Sequence, residues 1–185
     1  MKHRPELRFL AVVVVVCAVL MAVGRTRAET PRPMTGAPTP AEVVGRLNAA
    51  LEARQPQDYR DCLAEDFSFS PYSAVVAAYP QVKWREWGVA QEFEFARWLS
   101  SPARKVAMHL AYEVKDRGIE SDGQVEWDVV YLLRIDGSTF SGRAILTFVE
   151  LRKLWYLQSW EDTRPEPYEG TVVPTSGEAR ASFTR

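Results

Sequence analysis

Four β-type runs follow one another with no helical pattern between them, at 104–114, 125–135, 140–149 and 154–161. Asp136-Gly137 joins the second and third as a tight hairpin. Arg152-Lys153 is a charged turn between the third and fourth. Lys115 to Gln124, with Gly118 and Gly123, is a polar loop after the first. Helical patterns all precede these runs, which makes the chain α+β. The run at 125–135 puts Trp127, Val129, Tyr131 and Leu133 on one face, and Val130 and Leu132 on the other. The runs at 144–149 and 154–160 are also apolar on both faces. A one-sided antiparallel sheet would alternate with polar residues. Both faces are therefore expected to be covered, one by helices and the other by a second copy of the chain.

Upstream, Thr39-Pro40-Ala41-Glu42 is a strong helix start, with a cap, a proline at the first position and a capping-box acid. Val43, Val44, Leu47, Ala50 and Leu51 follow at helical spacing, and Pro56 is expected to end the helix. A shorter helix is expected from about Gln57 to Glu65, burying Tyr59, Cys62 and Leu63. Asp66 to Pro71 reads as a short strand with Phe67 and Phe69 on one face. The stretch 72–88 has no clear period. Val89 to Leu99 reads as a helix with Phe95, Trp98 and Leu99 together, stopped by Ser100-Ser101-Pro102.

Residues 1–28 look like an export signal. Lys2, Arg4 and Arg8 precede an apolar run from Phe9 to Val23. A spanning helix needs about 20 residues, and this run is shorter. Thr26-Arg27-Ala28 or Ala22-Val23-Gly24 would serve for cleavage. The alternative is an uncleaved anchor through residues 9–23, the only route to a membrane. Cys17 lies inside the run after Val16, a poor context for lipidation. The exported protein would be periplasmic or secreted. Segment 1–28 holds five of the 23 Lys and Arg and one of the 24 acids, so the remainder carries net −5. That charge gives no footprint for nucleic acid. Cys62 is then the only cysteine, which excludes an internal disulfide and suits core packing. Residues 29–38, with Pro31, Pro33, Gly36 and Pro38, read as a linker. Residues 39–162 form the domain, and 163–185, rich in Pro and Gly, are expected to be a flexible tail.

Two segments carry a family resemblance. Leu47-x3-Leu51-x-Ala53-Arg54 leads into Tyr59-x2-Cys62-Leu63-x2-Asp66-Phe67-x-Phe69. The ending is Trp155-Tyr156-Leu157-Gln158-Ser159-Trp160-Glu161-Asp162. Across residues 39–162 the chain resembles the nuclear transport factor 2-like superfamily, a cystatin-like cone shared with polyketide cyclases and ketosteroid isomerases. It is most similar to exported bacterial members of unassigned function. The resemblance implies helices packed on a strongly curved antiparallel sheet, with a pocket between them where enzymes place Tyr, Asp or His for proton transfer. The fold hosts unrelated activities, so it assigns none by itself.

Four ionisable residues are candidates for such a role. Asp66 aligns with an acidic position near the first strand, or simply ends the second helix. Tyr59 can donate into a pocket, or pack in the core. His109, the only histidine outside the leader, is of the residue type that serves as a general base near neutral pH, but a strand histidine without an evident partner is more often exposed. Asp128, among apolar neighbours, would be a base if buried alone. It is better read as pairing with Arg143 or Arg134 across the sheet. Glu161-Asp162 is read as solvated. One His and one Cys cannot supply a metal site, and no cofactor motif is present. The expectation is therefore a non-catalytic binding or assembly module. Its apolar ligand would sit against Phe67, Trp87, Trp98, Trp127, Tyr131 and Trp160. The alternative is an isomerase, dehydratase or cyclase working through Tyr59, Asp66, His109 or Asp128.

Overall fold

The computed structural model describes residues 35–112, 117–120 and 123–184. The leader, the anchor alternative, Cys17 and most of the linker lie outside these residues. Among the described residues no helix is long and apolar enough to cross a membrane.

Helix α1 spans Pro40–Glu52, and Thr39 Oγ1 accepts from Glu42 N as the capping pattern requires. Its buried stripe is Val43, Val44, Leu47, Ala50 and Leu51. Pro56 does not close this helix. It opens the next one, α2 at Pro56–Arg60, because proline suits a first turn that needs no N–H. The second helix is shorter than the sequence suggests. Strand β1 takes over at Leu63–Ser70, three residues before the expected start at Asp66. The stretch without clear period contains α3 (Ser73–Ala78) and a 3-10 turn (Trp84–Glu86). Helix α4 is Val89–Leu99, as its periodicity predicts.

The sheet follows with β2 (Val106–Tyr112), β3 (Arg117–Glu120), β4 (Gln124–Ile135), β5 (Ser138–Leu151) and β6 (Leu154–Pro165). Strand order is β1-β6-β5-β4-β2, with β3 pairing β4 inside what reads as a loop. The sheet is mixed rather than purely antiparallel, because β1 runs parallel to β6 with Phe69 opposite Trp160. The β4–β5 and β5–β6 turns each have two residues in the left-handed region. These are Asp136 and Gly137 at φ 52° and 86°, and Arg152 and Lys153 at 55° and 67°. That is the turn whose twist matches paired strands.

Trp127, Val129, Tyr131, Leu133, Ala144, Leu146, Phe148 and Trp160 are buried on one face of the sheet with the helices. Val130, Leu132 and Ile145 on the opposite face are half-buried.

The reading of 163–185 as a flexible tail does not hold. Strand β6 continues to Pro165, and Pro167–Tyr168 pairs with Thr171–Val172 as strands β7 and β8. Helix α5 then forms at Ser176–Phe183, where the Glu178 carboxylate accepts from Thr175 N. Its residues Ser176, Gly177, Ala179, Arg180 and Ala181 are buried. Gly177 has no Cβ because one would lie 2.8 Å from Pro71 Cβ on the approach to α3.

Candidate functional site

The space between the helices and the buried sheet face contains charge. Helix α4 buries Glu92, Phe95, Ala96 and Leu99 at i, i+3, i+4 and i+7, so one acid occupies its apolar stripe. Helix α5 sends Arg180 to meet it. Arg180 Nη2 donates to Glu92 Oε1 at 2.6 Å and Nε donates to Oε2 at 2.9 Å, a fork on a carboxylate. The two side chains are 2% and 0% exposed. Glu92 also accepts from Tyr59 Oη at 2.9 Å and from Trp87 Nε1 at 2.9 Å. The guanidinium lies 3.9 Å over the Phe69 ring, 4.8 Å from Phe95 and 5.2 Å from Trp160.

A second buried acid stands at the N-terminus of α5. Asp162 Oδ1 accepts from Trp160 Nε1 at 2.8 Å. Asp162 Oδ2 accepts from Ser176 Oγ at 2.9 Å and Gly177 N at 3.0 Å. Ser176 N donates to Tyr131 Oη at 2.8 Å. Strand parity places Asp162 on the inner face with Trp160, while Glu161 is exposed. Reading the pair as solvated is therefore right for Glu161 and wrong for Asp162.

Electrostatics follow from burial and pairing. Burial pushes Glu92 toward the neutral acid, but Arg180 and the donors around it outweigh burial and hold it below its ordinary range. Burial opposes the charge on Arg180 as well, and Glu92 outweighs it. Burial, reinforced by Glu92, holds the Tyr59 phenol well above its ordinary value. Burial raises Asp162 despite its donors. Burial also pushes the Cys62 thiol up to about 12, which leaves it unreactive in the core.

The four candidate acid–base residues do not converge. Tyr59 alone joins the buried cluster. Asp66 is exposed on β1, away from a helix end, and accepts from Gln158 Nε2 at 2.7 Å. His109 is exposed on β2, on the side opposite buried Met108 and Leu110. Its replacement by alanine is expected to change stability by no more than about 0.5 kcal/mol in a urea titration. Asp128 pairs with Arg143 at 3.0 Å, and Arg143 also reaches Glu166 at 3.2 Å.

The six aromatic candidates are placed less uniformly. Phe67, Trp87, Trp127, Tyr131 and Trp160 are buried. Trp98 is half-buried, stacked on Phe95 and covered by the Arg104 guanidinium. Several touch one another. Trp127 meets Phe148 at 5.0 Å, Tyr131 meets Trp160 at 5.4 Å, and Trp87 stacks on Trp84 at 5.5 Å.

Glu92, Asp162 and Arg180 are absent from the sequence-level candidates. The signals were an acid at a stripe position of α4, the W-x-D parity of β6, and the Thr175-x2-Glu178 capping pattern. Beside Asp162 a cleft of about 540 Å³ opens, lined in part by Ser70, Tyr72, Trp84, Arg85 and Thr163.

Helices laid on one face of a curved mixed sheet, around a core at the level of Glu92 and Asp162, define the nuclear transport factor 2-like, cystatin-like class of α+β fold. Solved structures agree at that level. A Nostoc punctiforme domain of unknown function with a cystatin-like fold is similar at 12% identity and TM-score 0.51, over 69% of this chain and 76% of that one. A candidate calcium/calmodulin-dependent protein kinase type II association domain from Thiobacillus denitrificans is similar at 17% and 0.51, over 71% and 99%. A candidate scytalone dehydratase from Novosphingobium aromaticivorans is similar at 14% and 0.50, over 73% and 89%. Identities this low establish the fold alone. No protein-family model and no curated protein matches the sequence.

Proposed function

We propose that this is an exported, non-catalytic ligand-binding module. One observation carries the reading: Tyr59, the one acid–base candidate in the buried cluster, is bound to Glu92, and Glu92 is held in an ion pair with Arg180. A general acid or base works best with a pKa near the operating pH. Tyr59 is held far above that range, and Glu92 is held below its ordinary value as the carboxylate of an ion pair. Asp66, His109 and Asp128 stand outside the cluster. The aromatic interior and the cleft beside Asp162 suit binding instead. The leader at 1–28 supports export, and the apolar residues on the opposite sheet face support a homodimer.

Native mass spectrometry of the protein purified from its own host tests the binding reading. The expected result is a retained small molecule that unfolding releases. Turnover of small isomerase, dehydratase or cyclase substrates, lost on Tyr59→Phe, would overturn it in favour of catalysis. Light scattering of the purified domain is expected to give twice the chain mass, and a monomer would refute the dimer.

A further inference from the structure

We propose that the interior of the cone is a recognition site for a small guanidinium-bearing molecule, which Arg180 occupies as a tethered stand-in. The proposal rests on the binding-module reading and names its ligand class.

Most of the site belongs to the cone rather than to the helix that fills it. Tyr59 and Trp87 aim their donors at Glu92, and Trp160 aims its donor at Asp162, all independently of α5. Phe69, Phe95 and Trp160 present rings to the cation. A buried carboxylate facing an aromatic box, with a second buried acid nearby, forms a cation receptor, and a planar fork matches the Glu92 carboxylate in particular. Without Arg180 the interior would hold two acids and no cation.

Stability alone does not call for this arrangement. A buried ion pair is often replaceable by apolar side chains at no cost. Helix α5 is also held in a way that permits release. It is short and its buried residues other than Arg180 are small. Its ties are the polar ones of Arg180 to Glu92, Ser176 and Gly177 to Asp162 and Ser176 N to Tyr131, together with the half-buried Phe183 ring against Trp87, Phe95 and Trp98. Asp162 also borders the open cleft, so a molecule there is already beside the latch. In that cleft wall Trp84 is buried and its Nε1 has no hydrogen-bond partner among the described residues. An oxygen on the incoming molecule would supply one, as the carboxylate of free arginine can.

The test has two arms. In the first, Arg180→Ala and the bulkier Arg180→Met are unfolded thermally in low-millimolar guanidinium chloride, in urea and in sodium chloride. Guanidinium is expected to raise the midpoint of Arg180→Ala in a saturable way, because a ligand that binds only the folded state stabilises it. The neutral urea and the sodium salt should not. Arg180→Met fills the space and should show no rescue. Equal responses to all three solutes, or none in folded Arg180→Ala, would overturn the proposal. The second arm needs no variant, and it decides the matter where Arg180→Ala does not fold. Amide exchange over 176–183 of the full chain is expected to be faster than over β4 and β5, and faster again with L-arginine. Exchange of α5 only through global unfolding, unchanged by L-arginine, would overturn the proposal. A neutral molecule retained in native mass spectrometry, with both arms negative, would leave the binding reading standing and this ligand class refuted.

Discussion

Arg180→Ala is expected to destabilise the domain by about 3–5 kcal/mol, the usual cost of leaving one partner of a buried ion pair uncompensated. The loss is concentrated at Glu92, which is fully buried and already committed as a carboxylate. Urea titration of far-ultraviolet circular dichroism measures it. The paired substitution Glu92→Gln with Arg180→Met should recover much of the loss. The amide oxygen can accept from Trp87 Nε1 while its NH2 donates to Tyr59 Oη, and both charges of the pair are gone. Glu92→Leu with Arg180→Met should recover less. It strands the Tyr59 hydroxyl and the Trp87 indole, each an unsatisfied donor costing about 1–3 kcal/mol. A loss below about 1 kcal/mol for Arg180→Ala would mean that the pair is solvated in solution.

The pair also fixes a pH dependence. Glu92 has a folded-state pKa below its ordinary 4.5. Its contribution is therefore present above that value and lost as pH falls through the depressed folded value. The acid limb of the stability curve should be shallower in Glu92→Gln with Arg180→Met than in the native chain.

Local pattern made the sheet legible, and distance in sequence hid the site. Continuous β-type runs and two-residue turns located β4, β5 and β6, because hairpin partners are neighbours in the chain. Helix α1 declared itself through Thr39, Pro40 and Glu42. The start of β1 was missed because Leu63 and Ala64 continue a helical stripe as readily as they begin a strand. Its parallel pairing with β6 has no local signature at all. Glu92 and Arg180 are 88 residues apart. Each alone looks like an ordinary surface charge, and only folding makes them one group. Helix α5 was obscured differently. Pro167, Gly170 and Pro174 set the composition of a loop, while Thr175 and Glu178 carry the capping pattern of a helix. Composition averaged over a segment misled where position-specific chemistry was correct.

Asp162→Ala is expected to release α5 while leaving the sheet intact. The substitution removes the acceptor shared by Trp160 Nε1, Ser176 Oγ and Gly177 N. Buried donors left without partners cost about 1–3 kcal/mol each, although the Ser176 hydroxyl can rotate elsewhere, so about 2–4 kcal/mol is expected in total. Much of that cost falls on the helix, whose first turn loses two ties. Amide exchange over 176–183 should accelerate far more than exchange over β4 and β5. Unchanged protection of α5 would show that its ties to Glu92 and Tyr131 and the packing of Phe183 hold it without Asp162. The pH sign is opposite to that of Glu92. Asp162 has a folded-state pKa raised above its ordinary 3.8, chiefly by burial. Its contribution is thus fullest below 3.8 and lost as pH rises through the raised value. Acidification therefore relieves the burial cost of Asp162, although the bonds from Ser176 and Gly177 favour its ionised form, and weakens the pair where Arg180 meets Glu92. In Asp162→Asn the first effect should vanish and leave the Glu92 dependence alone, which urea midpoints across the acid range would resolve.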